Sequence, residues 1–213
     1  MKWFLLSTTA LIVLNTVLVG CGPQGEVGED RADFEQGFTP TQVTLREYGE
    51  LFELVDDQLV FVDAKGSQWT APKGALTDGA SVPRFLLWVP DGRYNSNFLK
   101  AAIIHDAYCQ TDNKTRCPDQ YRKKPWREVH RMFYDACIAG GTPELLAKTM
   151  YAAVWVGGPR WNEREHQTKR LSEEQAKLAF ERCKWWIEQR EPTFQELEVW
   201  MEDLEQEMLE GER

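Results

Sequence analysis

The chain is short of positive charge. Its 213 residues carry 25 Lys and Arg against 34 Asp and Glu, a net charge of −9 at pH 7. Nucleic-acid binders neutralise phosphates with a basic face, so this balance argues against a nucleic-acid partner. Apolar residues make up 42% of the chain, which excludes a wholly disordered protein. At roughly 100–200 residues per domain, the length predicts one domain with appendages.

Charge is almost absent from the N-terminus, where Lys2 is the only ionised side chain before residue 26. A positive start followed by an apolar stretch over residues 3–20 is typical of an export signal. The stretch ends at Leu18-Val19-Gly20-Cys21, which resembles the lipobox of bacterial lipoproteins. That resemblance implies a signal peptide at 1–20 and lipidation of Cys21. An uncleaved anchor helix is the alternative.

The next stretch, residues 21–40, is Gly-rich, acidic and without apolar periodicity, and it predicts a flexible tether. In lipoproteins of this kind an Asp after the lipidated Cys tends to retain the protein at the inner membrane. Gly22 stands at that position here. We therefore expect a protein of the cell envelope, lipid-anchored in the outer membrane and facing the periplasm.

Cysteines are few, and none of their spacings is C-x-x-C, which argues against a structural zinc site or a thioredoxin-like motif. In an oxidising compartment the four that remain besides Cys21 predict two disulfides. We expect Cys109 to pair with Cys117 and Cys137 with Cys183. Four free thiols are the alternative.

The organisation along the chain predicts an α+β fold. Short β-branched and aromatic runs at 41–71, separated by Asp/Gly turns, indicate a small antiparallel β-meander. Three helices are expected after Ser96, Pro125 and Pro143, followed by two helices that open with capping boxes at Ser172 and Thr193. The meander would pack on the bundle of three helices as one domain at 41–165. Residues 166–213 would form an acidic helical C-terminal extension.

Three motifs resemble one known family. They are a Thr77-Asp78-Gly79-Ala80-Ser81-Val82-Pro83 turn after the meander, an Ala101-Ala102-Ile103-Ile104-His105-Asp106-Ala107-Tyr108 helix, and a closing Met150-Tyr151-Ala152-Ala153-Val154 helix. In this order they resemble domain of unknown function 1353 (DUF1353), a family common in phages and bacterial genomes. The resemblance covers roughly residues 50 to 158 and implies no established activity. Members often carry an Asp where this chain has His130.

His105 and Asp106 are the candidate catalytic pair, with Asp78 as a second carboxylate. A histidine titrates near neutrality and, beside a carboxylate, can hold a water as a general base. Adjacent helical residues point about 100° apart, so we expect the pair to line two walls of a pocket rather than to serve one atom. This predicts a hydrolase acting on an envelope substrate, with Ser81 and Arg127 binding that substrate.

Two other interpretations of the same residues stay open. His105, Asp106 and His130 can form a nitrogen and oxygen site for a divalent metal with one open position. Alternatively, His105 bonds a strand carbonyl and Asp106 caps the turn at Asp78, which would make both residues structural.

A function of another class is a non-catalytic envelope or prophage accessory protein that binds a protein partner through its C-terminal helices. This hypothesis needs an exposed amphipathic stripe, formed by Phe194, Leu197, Trp200 or Met201, Leu204 and Met208. The acidic tail can instead dock on the basic segment 114–131 of the same chain. Trp161 is the tryptophan most expected to be exposed. The sequence leaves the oligomeric state and the substrate open.

Overall fold

Six short strands form two antiparallel sheets of three strands each. In the computed structural model the described residues are 37–79, 96–161 and 171–210, within one unit that runs from Phe34 to Arg213. The strands are β1 (Gly37–Thr39), β2 (Leu45–Tyr48), β3 (Leu51–Leu54), β4 (Gln58–Val62), β5 (Gln68–Pro72) and β6 (Leu76–Thr77). Their orders are β1-β4-β5 and β2-β3-β6. The predicted α+β class is confirmed, with two sheets in place of one meander.

The β4–β5 hairpin is organised by Asp63, whose carboxylate accepts hydrogen bonds from the backbone N–H groups of Lys65 and Ser67 and from the indole of Trp69. These bonds favour the charged carboxylate and leave the pKa of Asp63 below its usual value, against the opposing effect of burial. The hairpin buries alternate residues on one face, including Leu59, Phe61, Trp69 and Ala71.

β3 and β4 are consecutive in sequence but belong to different sheets. The turn at Asp56-Asp57, between the two strands, therefore carries the chain from one sheet to the other. The reason lies in their neighbours: Leu54 exchanges backbone hydrogen bonds with Gly74 and Ala75, just before β6. β4 in turn is paired on one side by β1 and on the other by β5.

β1 lies inside the stretch predicted as a tether. Gly37–Thr39 pairs antiparallel with β4. The Phe38 ring packs against the Phe61 ring, with 5.0 Å between the two ring centroids. The expectation of a flexible segment was wrong for these residues, because Phe38 finds an apolar partner on the sheet.

Five helices follow: α1 (Ser96–Cys109), α2 (Trp126–Ala139), α3 (Glu144–Gly157), α4 (Glu173–Arg190) and α5 (Phe194–Glu210). Their starts agree with the predicted ones to within a residue. Both capping boxes are formed, by Ser172 with Gln175 and by Thr193 with Glu196. α1 packs between the sheets and α2, and its residues Ala101–Cys109 are all buried.

The C-terminal helices fold back onto the rest of this unit. Four residues of the predicted α5 stripe, Phe194, Leu197, Met201 and Leu204, are buried in the core, so this stripe is not the exposed partner surface that the binding hypothesis required. Trp161 is also buried, contrary to expectation, and its indole N–H donates to the Lys124 carbonyl at 2.7 Å. No helix among the described residues is long and apolar enough to span a bilayer.

The predicted disulfides are not formed. Cys109, Cys117, Cys137 and Cys183 are all free and buried. They lie on α1, on the segment after it, on α2 and on α4, and all four belong to the apolar core. The predicted signal peptide, Cys21, Ser81 and most of the tether lie outside the described residues.

Candidate functional site

One turn of α1 brings together three side chains that can bind a metal. His105 Nδ1 lies 3.4 Å from Cys109 Sγ and 3.6 Å from Asp106 Oδ1. His105 and Cys109 are four residues apart and so share a face of the helix. The expectation that His105 and Asp106 point to separate walls was wrong, because the Asp106 carboxylate turns back toward the imidazole.

His130 approaches the same histidine from α2. Its Nδ1 lies 2.9 Å from His105 Nε2, so the two rings share a hydrogen bond whose donor depends on their tautomers. Gly158, directly after α3, lies close to this ring: a Cβ at Gly158 would lie 3.1 Å from His130 Nε2. His130 therefore holds Nε2 of His105, while Nδ1 is the nitrogen nearer to Cys109 Sγ, at 3.4 Å against 3.9 Å for Nε2.

The second oxygen of Asp106 binds the turn after β6. Asp106 Oδ2 accepts hydrogen bonds from the Thr77 hydroxyl at 2.7 Å and from the Asp78 backbone N–H at 3.3 Å. Asn113 joins the same turn to α1 by donating to the carbonyls of Leu76 and Asp106. This is the structural role considered for Asp106, and it is formed here beside the contact with His105.

The cluster is enclosed. The exposed fractions are 1% for His105, 2% for Asp106 and 0% for His130. Burial, together with the nearby charges of Asp106 and Asp78, raises the pKa of the Cys109 thiol well above its usual value. His105 makes its described polar contacts with side chains rather than with a strand carbonyl, so the structural role proposed for the histidine itself is not the one observed.

The donor set fits a zinc ion. Zinc binds imidazole nitrogen, thiolate sulfur and carboxylate oxygen at about 2.0–2.3 Å, which places tetrahedral ligands roughly 3.3–3.7 Å apart. The two distances from His105 Nδ1 have these lengths, and all three donor atoms lie within 4.8 Å of one another. The predicted ligand His130 instead bonds the far nitrogen of His105, as an outer partner of a metal-bound histidine does.

Cys109 is the member of the cluster that sequence reasoning missed. Cys109 is predicted to form a disulfide, but it also lies four residues after His105, which places both side chains on one helical face. That spacing is the signal by which Cys109 was recognisable as a ligand.

Asp78 stands at the edge of an open cleft. With Tyr48, Glu50, Leu51, Leu76, Gln110 and Asp112 it lines a volume of about 390 Å³. Since its backbone N–H is bonded to Asp106, this cleft borders the cluster through one shared turn. The structure thus connects Asp78 to the predicted pair through its backbone.

Arg127, predicted to bind substrate, is engaged elsewhere. Its guanidinium bonds Glu202 of α5 at 2.6 Å and lies over the rings of Trp126 and Trp155. It also lines a separate cleft of about 460 Å³ that none of His105, Asp106 and Asp78 borders. Arg131 likewise faces α5 through Glu198, so the basic segment receives the acidic helix, as the internal docking hypothesis predicted.

Comparisons with known proteins concern mainly the middle of the chain. The chain is 37% identical over 127 residues to uncharacterized protein y4jT of Sinorhizobium fredii (strain NBRC 101917 / NGR234), a match of 60% of this chain and 34% of the relative. It is also 37% identical over 101 residues to uncharacterized protein y4iH of the same strain, a match of 47% of this chain and 38% of that relative. The chain thus spans about a third of the length of these relatives. No solved structure matches it.

A family model described as "Protein of unknown function (DUF1353)" matches residues 53–154. The match runs from β3 to the last turn of α3 and includes every member of the cluster on α1 and α2. Over residues 53–154 this chain therefore matches the DUF1353 family.

Proposed function

We propose that this chain is a lipid-anchored protein of the bacterial cell envelope whose DUF1353 domain binds one zinc ion through His105, Asp106 and Cys109. The observation that carries the metal site is the pair of distances from His105 Nδ1, 3.4 Å to Cys109 Sγ and 3.6 Å to Asp106 Oδ1, which lie in the range of a zinc tetrahedron's edges; the three donor atoms all lie within 4.8 Å of one another. The lipobox-like segment that ends at Cys21 supports the anchoring.

The charges support a dication at this place. An ionised Asp106 and a Cys109 thiolate together neutralise Zn²⁺, so the loaded cluster carries no net charge within the core. His105 Nε2–H would then donate to His130 Nδ1, which orients the imidazole and fixes its tautomer. Asp106 Oδ2 is oriented in the same way by the Thr77 hydroxyl.

Metal content tests the site directly. We expect the full chain, purified in detergent and reconstituted with zinc, to hold one zinc ion, and His105→Ala and Cys109→Ser to lose it. In the cobalt-loaded wild type we expect a thiolate-to-cobalt charge-transfer band, which Cys109→Ser abolishes. Cys137→Ser is the matched control, because Cys137 is equally buried but lies on α2 away from the donor atoms.

Two results contradict the site. One is a wild type that takes up no stoichiometric zinc. The other is a Cys109→Ser variant that keeps both the metal and its affinity. Circular dichroism of each variant separates loss of metal from loss of fold.

The anchoring has its own test. Mass spectrometry of the protein from membranes is expected to show a mature chain that begins at acylated Cys21. An intact Met1 would contradict this, whatever the outcome of the metal measurement.

Hydrolysis is a second candidate function because three protein ligands leave the fourth position of a tetrahedral zinc, where catalytic zinc holds a water. The cleft at Asp78 borders the enclosed cluster through the Asp78 backbone N–H that bonds Asp106, although none of the three ligands lines it. We expect zinc-loaded protein to hydrolyse p-nitrophenyl ester or phosphodiester probes, or isolated cell-wall material, and His105→Ala to abolish that activity. Stoichiometric zinc without turnover on any of these would assign the ion a structural role.

A further inference from the structure

The hairpin of α4 and α5 has one face that the core does not use. The two helices run antiparallel: Gln175 near the start of α4 bonds the Met208 carbonyl near the end of α5, and the rings of Trp186 and Trp200 stack at 4.8 Å. In an antiparallel pair, the residues that precede two facing residues project to the same side. Trp185 and Val199 therefore share one side of the hairpin.

Large apolar side chains are exposed on this side. The exposed fractions are 60% for Trp185, 60% for Val199 and 57% for Leu178, which lies two turns before Trp185 on the same face of α4. Other residues, such as Ile187 and Leu197, are fully buried and form the inward faces of the two helices. The three exposed side chains thus contribute little to holding the hairpin on the core, and we call them the outer apolar face.

Carboxylates border this face on both helices. Glu174, Glu181 and Glu188 repeat every seven residues and so form a row beside Leu178 and Trp185. On α5, Glu196 and Asp203 lie three residues before and four after Val199, on the same exposed surface. All five side chains are exposed.

Two of the nearby basic side chains form ion pairs with carboxylates outside the glutamate row. Lys177 pairs with Glu173 at 2.8 Å, and Arg182 pairs with Glu207 of α5 at 3.1 Å. Lys184 also lies one helical turn from both Glu181 and Glu188, so α4 is balanced in charge. The negative excess of the hairpin comes from α5, whose residues 194–210 include no Lys or Arg. A surface that joins exposed aromatic and aliphatic groups to an excess of charge of one sign is the kind that binds partners of the opposite sign.

We propose that the outer apolar face, Leu178, Trp185 and Val199, docks a basic amphipathic helix of a partner protein. The apolar side of that helix would lie against Trp185 and Leu178, while its Lys and Arg side chains would meet the row of Glu174, Glu181 and Glu188. Trp is enriched among residues that dominate binding energy, and complementary charge adds rate and specificity.

Other occupants fit this chemistry less well. A second copy of the chain would bring the same carboxylates against one another, and an anionic lipid surface would be repelled by them. The hairpin also lies outside the family match at 53–154, so the surface is additional to the DUF1353 domain. The proposal does not depend on the zinc site.

A designed peptide pair tests the surface. The probe is a fluorescent helical peptide with Leu at positions i, i+3, i+4 and i+7 and Lys elsewhere, and its control carries Glu in place of every Lys. The full chain is presented in nanodiscs of zwitterionic lipid, with empty nanodiscs as the blank, and fluorescence anisotropy measures Kd. We expect the Lys peptide to bind, the Glu peptide not to bind, and affinity to fall as salt rises.

Variants locate the binding. Trp185→Ser, and separately Glu181→Gln combined with Glu188→Gln, are expected to weaken binding of the Lys peptide at least tenfold. Leu145→Ser on α3 removes an exposed apolar side chain outside this face and is expected to leave Kd unchanged. Equal binding by wild type and Trp185→Ser, equal binding of both peptides, or a dimer in sedimentation that Trp185→Ser dissolves would each overturn the proposal.

Discussion

Asp106 shows how one buried residue can serve both the fold and the site. One oxygen faces His105 at 3.6 Å, and the other accepts from the Thr77 hydroxyl and the Asp78 backbone. A carboxylate that is 2% exposed needs such partners, because an unmatched buried charge is costly. The position of the cluster is thereby coupled to the turn that follows β6.

Thr77→Val tests this coupling. The substitution keeps the shape of the side chain but removes the donor to Asp106 and the acceptor for the Gly79 backbone N–H, and each buried group left short of a hydrogen bond costs about 1–3 kcal/mol. If zinc is bound as proposed, loss of this outer partner also weakens zinc about 10–100-fold. Urea unfolding and a zinc competition titration measure the two effects.

Thr149→Val is the control for that substitution. The Thr149 hydroxyl donates at 2.8 Å to the Leu145 carbonyl within α3 itself, so its loss leaves no charged group without a partner. We expect a smaller change in stability and none in zinc affinity. Equal effects of the two variants would argue against a special role for the bond to Asp106.

At the scale of elements, α5 is held by ion pairs of unequal burial. Arg160 places both terminal nitrogens on Glu205, at 2.7 and 3.1 Å, and also donates to the Trp155 carbonyl. Arg127 makes a single described contact with Glu202, in which both side chains are about half exposed. Bidentate ion pairs that are shielded from water are the stronger ones, whereas exposed ion pairs contribute about 0–1 kcal/mol to the free energy of unfolding.

Glu205→Gln is therefore expected to destabilise the chain far more than Glu202→Gln. The first change leaves Arg160, whose side chain is 7% exposed, without its counter-charge, which costs roughly 3–5 kcal/mol for a buried pair. The second is expected to cost less than about 1 kcal/mol. Denaturant unfolding of both variants at two salt concentrations measures the difference, and similar losses in both would show that burial does not rank these pairs.

At the scale of the whole molecule, the core is held without covalent cross-links among its four described cysteines. Each thiol occupies a different part of the unit and contacts apolar neighbours. Burial raises the pKa of Cys117 and of Cys183 to about 12. Since the thiolate is the reactive form, these thiols are expected to react slowly in the folded state.

Thiol counting tests this description. The full chain carrying Cys21→Ser, unfolded in guanidinium chloride without reductant, is expected to show four reactive thiols. In the folded state the reaction should be slow at pH 7 and faster as the pH rises toward the thiol pKa values. Finding no free thiols in the unfolded chain would restore the two predicted disulfides.

Local patterns were enough to predict the helices and the α+β class. Capping residues such as Ser172 and Thr193, the glycines after α2, and periodic apolar residues act within a few positions of one another, so they can be recognised in the sequence. The motifs around Asp78 and His105 were also enough to identify the family, which the match at 53–154 confirms.

Tertiary structure alone decided which groups meet. Contacts between residues far apart in sequence decide which strands pair with β3 and β4, and local periodicity does not encode such contacts. They also decide that the α5 stripe is buried and that the four described cysteines form no disulfides. The same holds for the cluster on α1. The sequence shows His105 beside Asp106 and four residues before Cys109, but only the packing of α2 and the turn after β6 orients these side chains toward one another.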